Sequence, residues 1–138
     1  MYGSVESRSW TVEDHLRGKP VSVVRLYEKF VRLVEACGPV VYTVSKTAIT
    51  FKGMRRGFAG AKPTNRSLDG YLDLQRRVKD SRILRAEPYT KTLFVHHFRV
   101  TDPEQLDDQF AGWVREACEV GRGQHLERRA CVRPNLRL

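Results

Sequence analysis

Hydrophobic positions along this chain change their period twice, and the changes mark out its elements. Between residues 20 and 37 the apolar side chains Val23, Leu26, Tyr27, Phe30, Val31, Val34 and Cys37 recur at three- and four-residue steps. That spacing predicts an amphipathic helix with one buried stripe. Pro20 suits its first position, and Gly38 with Pro39 stops it. A shorter helix precedes it, with the Thr11 hydroxyl as N-cap, Glu13 and Asp14 in the first turn and Gly18 at the end. Beyond Pro39 the period falls to two. Strands are expected at residues 40–44, 47–52, 58–61, 68–74 and 92–100, where β-branched and aromatic residues alternate with polar ones.

The alternation also assigns faces. In the stretch TLFVHHFRV (residues 92–100), Phe94, His96, Phe98 and Val100 leave one side, and Leu93, Val95, His97 and Arg99 leave the other. The first set reads as core-facing. Residues 68–74 set Leu68, Gly70, Leu72 and Leu74 against Asp69, Tyr71 and Asp73. Residues 47–52 set Ile49 and Phe51 against Thr50 and Lys52. The small residues Ala59, Gly60 and Ala61 allow something to approach the backbone closely. Residues 75–85 are basic and read as a loop with one helical turn. A closing helix over 103–120 follows the N-cap Asp102, its stripe formed by Leu106, Phe110, Trp113, Val114, Ala117 and Val120. The expected architecture is α+β: an antiparallel sheet of about five strands, with the N-terminal and C-terminal helices packed on one face and the other face open. Residues 10–121 form one domain, between a frayed segment 1–9 and a flexible basic tail 122–138.

Composition narrows the class. The apolar fraction of 41% and charged fraction of 30% suit a globular domain. No apolar run approaches the roughly 20 residues of a membrane span, and the first residues lack a signal pattern. A cytoplasmic protein with no membrane partner is therefore expected. Cys37, Cys118 and Cys131 are odd in number and lack CxxC spacing, which argues for reduced thiols rather than a disulfide framework. No cofactor or metal motif is present. GMRRGFAG (residues 53–60) lacks the lysine-serine/threonine ending and the setting of a phosphate-binding loop.

Charge changes the picture more. The net charge is +9, yet residues 46–91 hold twelve basic and four acidic groups, while residues 92–121 hold two and six. A field so placed attracts phosphates or carboxylates. On the inferred open face, His97 and Arg99 stand together, and a nearby cation favours the neutral imidazole. Lys46, Lys52, Arg55, Arg56 and Tyr71 complete the candidate ligand-binding set, because arginine forks suit planar anions and an aromatic ring among cations adds stacking. His96, between two phenylalanines on the core face, reads as a buried, hydrogen-bonded histidine. Asp69 and Asp73 read as ion-pair partners of the basic patch rather than as an acid pair. The residues leave three readings open. The first is an anion-binding module for nucleic acid or a phosphate-bearing small molecule. The second is an enzyme with His97 as acid/base and Arg55 and Arg99 gripping an anionic substrate. The third is a protein-interaction adaptor using the acidic last helix. No oligomeric state follows from any of them.

Five stretches carry a resemblance: EDHLRGKP (residues 13–20), SKTAITF (45–51), SLDGYLDL (67–74), VHHFRV (95–100) and LDDQFAGWVREACEVG (106–121). They resemble the family catalogued as domain of unknown function 5655. The resemblance implies a compact α+β domain, alone or fused to other modules, with no established reaction. Relatives often carry a Cys/His zinc module ahead of the domain; residues 1–12 do not match it, so no metal role carries over. Cys118 stands where relatives tend to have tyrosine.

Overall fold

The computed structural model describes residues 9–123. The expected frayed start, most of the basic tail and Cys131 lie outside the described residues. Two N-terminal helices, α1 (Val12–Leu16) and α2 (Val21–Glu35), lead into strands β1 (Val41–Val44), β2 (Ile49–Lys52), β3 (Gly57–Pro63), β4 (Leu68–Leu74), β5 (Ile83–Pro88) and β6 (Phe94–Val100). A single 3-10 turn (Pro103–Gln105) and helix α3 (Asp108–Gly121) follow. All strand pairs are antiparallel, in the order β1-β2-β3-β4-β6-β5. None of the described helices is long and apolar enough to cross a membrane.

Local chemistry accounts for the helix limits. Thr11 and Asp14 form a reciprocal capping box at α1. Pro20 occupies the N-cap of α2, one residue before the first helical position, and has no side-chain cap. Val23, Leu26, Tyr27, Phe30 and Val34 are the buried stripe of α2, as the three-and-four spacing predicts. The closing helix differs from the sequence expectation. It is broken at Leu106, whose backbone leaves the helical region, because two aspartates each cap a separate start. Asp102 caps the 3-10 turn, and Asp107 accepts from the Phe110 amide at the head of α3.

The α+β class and its one-sided helix layer are as expected, but the sheet has six strands rather than five. The added strand is β5, in the stretch read as a basic loop. It is an edge strand with a register irregularity between Ile83 and Arg85, and Glu87 and Pro88 close it. Bulge, charge and proline are the devices that blunt an exposed edge, and they also erase the period-two pattern that betrays a strand.

The core lies between the sheet and helices α2 and α3. Phe30 of α2 sits 5.8 Å from Phe51 and 5.3 Å from Phe98, and Phe98 lies 5.2 Å from Phe110 of α3, between ring centroids. These aromatic rings come from two helices and two strands and are fully buried. Each contributes about 1.5–3 kcal/mol of apolar burial. His96 is buried on this face. Its Nε2 accepts from the Val78 amide at 2.9 Å, and its Nδ1 lies 3.1 Å from the Phe94 carbonyl. An amide only donates and a carbonyl only accepts, so the proton sits on Nδ1 and the ring is neutral. Burial holds its pKa below the usual histidine value.

The basic segment before β5 is pinned rather than loose. Arg82, 7% exposed, donates to Asp80, Asp107, Gln109 and the Gln105 carbonyl at 2.7–3.0 Å and lies 4.7 Å over Trp113. Arg76 holds Glu116 of α3 with two bonds, 3.0 and 2.8 Å. Arg77 donates to the Ala86 carbonyl and covers Phe94. Arg76 and Arg82 tie the β4–β5 connection to α3 and its approach, and Arg77 ties it to β5 and β6.

Candidate functional site

Period two on β4 and β6 places Asp69, Tyr71 and Asp73 beside Arg99, His97 and Val95 in register, on the face away from the helices. Across β4, Gly60 and Lys62 of β3 pair with Tyr71 and Asp69. Across β6, Arg85 and Glu87 of β5 pair with His97 and Val95. Gly60 has a steric reason: a Cβ there would meet the Tyr71 ring at 2.1 Å. The small residue lets the ring lie flat across β3, where its hydroxyl reaches Thr50 Oγ1 at 3.3 Å.

The rim is built by two segments from outside this row. The turn between β2 and β3 docks on the end of α3, with the Arg55 and Arg56 amides both donating to the Gly121 carbonyl at 2.9 and 3.2 Å. This docking sends the two adjacent arginines in opposite directions. Arg55 packs beside Gly123 at the helix end. Arg56 turns over the open face, donating from Nε to the Gly57 carbonyl at 3.0 Å and from Nη2 to Asp73 Oδ2 at 2.8 Å. Tyr89, just past β5, lies under the Arg56 guanidinium at 5.3 Å. Together with Lys62, Tyr71 and His97 they line an open cleft of about 620 Å³.

Of the sequence candidates, Arg56, Tyr71 and His97 meet in the cleft. Lys52 borders it, its stem running close to Gly57. Lys46 lies on the β1–β2 turn, which packs on α1 through a 2.7 Å contact between His15 Nε2 and the Ser45 carbonyl. Arg55 is at the α3 end. Arg99 shares the sheet face but is held by Asp69 through two bonds of 3.0 and 2.9 Å, next to the β3–β4 turn. Lys62 and Tyr89 were missed. Lys62 was legible as the residue two beyond Gly60 on one strand face, had the strand been carried to Pro63. Tyr89 follows the strand that left no alternation.

The electrostatics are mixed rather than uniformly positive. Carboxylates interleave the cations: Arg99 with Asp69, Arg85 with Glu87 at 3.2 Å, Arg56 with Asp73. Partial burial works against ionised Asp69, but Arg99, Ser67 and Lys62 outweigh it and hold the carboxyl below its usual value. Partial burial holds His97 below its usual value, with Arg85 and Lys62 adding to the effect and Glu87 opposing it. His97 Nε2 lies 3.1 Å from Glu87 Oε1. A carboxylate only accepts, so the neutral ring carries its proton on Nε2 and leaves Nδ1 as a free acceptor. Asp73 is 4% exposed, and burial pushes its carboxyl up to about 6 despite Arg56. Its Oδ1 is buried without a hydrogen-bond partner. Among the described residues, no group of three or more His, Cys, Asp or Glu could hold a metal ion.

The fold and cleft define a class: a small antiparallel α+β domain with helices on one sheet face and a polar, aromatic-walled cleft on the other. The chain belongs to the family described as domain of unknown function (DUF5655), whose model matches residues 12–121. No curated protein and no solved structure matches it.

Proposed function

We propose that the domain binds a small anionic molecule, phosphate-bearing or carboxylate, in the cleft on the open sheet face. The observation that supports this most is the convergence of Arg56, Lys62, Tyr71 and His97 around one cleft of about 620 Å³, while arginines 76, 77 and 82 are engaged in holding the fold. A cleft of that size falls in the range of small-molecule sites. Lys62 and the outer edge of Arg56 meet the anion, Tyr71 and Tyr89 flank an attached ring, and His97 Nδ1 accepts from a ligand hydroxyl. A nucleic-acid backbone is a poorer fit, since a phosphate track needs a run of cations and Asp69, Asp73 and Glu87 interrupt this one.

The test is a calorimetric titration with a nucleoside monophosphate, a phenyl phosphate and a single-stranded oligonucleotide, each across a salt series. Saturable binding of a small ligand, weakened about tenfold or more by Arg56→Ala or Lys62→Ala, supports the reading. Tight oligonucleotide binding with a steep salt slope, and none of the small ligands, overturns it. Catalysis on the bound anion is a second reading, favoured by the hydrogen bond that orients His97 on Glu87.

A further inference from the structure

Asp73 is an unusual wall for a cleft that binds anions. It is a buried carboxylate, its Oδ2 is engaged by Arg56, and its Oδ1 has no partner. Buried polar atoms are nearly always satisfied, so an orphan carboxylate oxygen at a cleft wall requires a reason. The carboxylate also neutralises the guanidinium that an incoming anion would use. Proton uptake resolves both difficulties, since a neutral carboxyl tolerates the dry position of Oδ1 and releases the full charge of Arg56.

We propose that Asp73 and the ligand compete for Arg56: in the empty cleft Asp73 holds the guanidinium, and in the filled cleft the ligand's anionic group holds it while Asp73 takes up a proton from solvent. The proposal rests on the reading of the cleft as an anion site and states how that site is regulated. The balance is simple: the ligand binds, one proton binds, and no covalent bond changes. The charged and titratable groups around Asp73 are Arg56 from the β2–β3 turn, Tyr71 on its own strand, Lys62 on β3, His97 on β6, Glu87 on β5 and Tyr89 beyond it. Burial raises the carboxyl to about 6, which places the exchange near neutral pH. His97, held below its usual value by burial, is a second titratable group on this face and has to be separated from it.

The experiment uses sulfate and phenyl sulfate, whose charge does not change across the range, titrated into the full chain between about pH 5 and pH 8 in two buffers of different ionisation heat. For wild type, affinity should strengthen on acidification by up to about tenfold per pH unit above the Asp73 midpoint, with net uptake approaching one proton. Asp73→Asn should flatten the profile and bind at pH 8 at least as tightly as wild type does at pH 5, while His97→Gln keeps most of the slope. A profile unchanged in Asp73→Asn, with binding still lost in Arg56→Ala, overturns the proposal and leaves the cleft reading standing. Binding that ignores both Arg56→Ala and Lys62→Ala, or no binding at all, overturns the cleft reading and this proposal with it. Should Asp73→Asn fold poorly, carboxyl NMR of wild type decides: saturating sulfate should raise the Asp73 midpoint, and an unmoved midpoint overturns the exchange.

Discussion

Arg82 and Arg56 are both arginines paired with aspartate, and they sit on opposite faces of one sheet. On the helix side, Arg82 is enclosed and its guanidinium is taken up by Asp80, Asp107, Gln109 and a carbonyl, with Trp113 beneath. On the open side, Arg56 is partly exposed, makes one ion pair with Asp73, and leaves an aspartate oxygen unpaired. An enclosed guanidinium whose donors are all taken up fixes geometry, because moving it would break several hydrogen bonds at once. A half-satisfied pair beside open volume leaves capacity for a ligand. The completeness of the hydrogen bonding, rather than the residue types, separates the structural arginine from the functional candidate.

The sharpest way to break this contrast is Arg82→Ala, which should destabilise the fold by about 2–3 kcal/mol in chemical denaturation, because it removes a buried guanidinium stacked on Trp113 and its charged hydrogen bonds to Asp80, Asp107, Gln109 and the Gln105 carbonyl. Arg56→Ala should cost less, because the Asp73 carboxyl it leaves unpaired, already raised to about 6, can take up a proton. Similar losses for the two would erase the distinction.

Asp73→Asn should behave oppositely, and with a pH signature. The folded carboxyl's value of about 6 is above its ordinary value, so the folded state holds the proton more tightly. Its contribution to stability is therefore present at low pH and is lost as pH rises from about 4 through 6. Relative to wild type, the Asn variant should gain about 1–3 kcal/mol between pH 4 and pH 7.5. A constant difference across that range would show that Asp73 is not strained by burial.

His96 carries the reverse sign, since burial lowers its value in the folded state. Stability associated with it is full above the unfolded histidine value and falls as pH drops below it. His96→Leu should cost about 1–3 kcal/mol by stranding the Val78 amide, and His96→Gln, which can both accept and donate, should recover part of that and flatten the acid limb of a denaturation profile. The smallest effect belongs to Arg99→Ala: its exposed pair with Asp69 should leave the melting curve unmoved, since such pairs hold little in water.

Several of these assignments were open to reading from the chain. That His96 points inward and His97 outward follows from period two on a strand, and the small residues at 59–61 signal the close approach that the Tyr71 ring makes over Gly60. The two helix stripes and the open sheet face were legible for the same reason, because solvent on one side and core on the other leave an alternation in the residues. Asp73, by contrast, alternates onto the polar face yet is buried, since Arg56 and Tyr89 arrive over it from a turn and a strand end far away in sequence.

Legible along the chain alone is therefore the layering: which residues face the helices and which face away. Packing between distant elements set the sixth strand, the break in the closing helix, the opposite destinations of Arg55 and Arg56, the fixing of the basic 76–85 segment onto the fold and the open cleft beside Asp73. Periodicity records the environment each side chain keeps within its own element. Which distant side chain satisfies a charge depends on how loops dock, as the Arg55–Arg56 turn does on Gly121, and the chain's local pattern carries no trace of that.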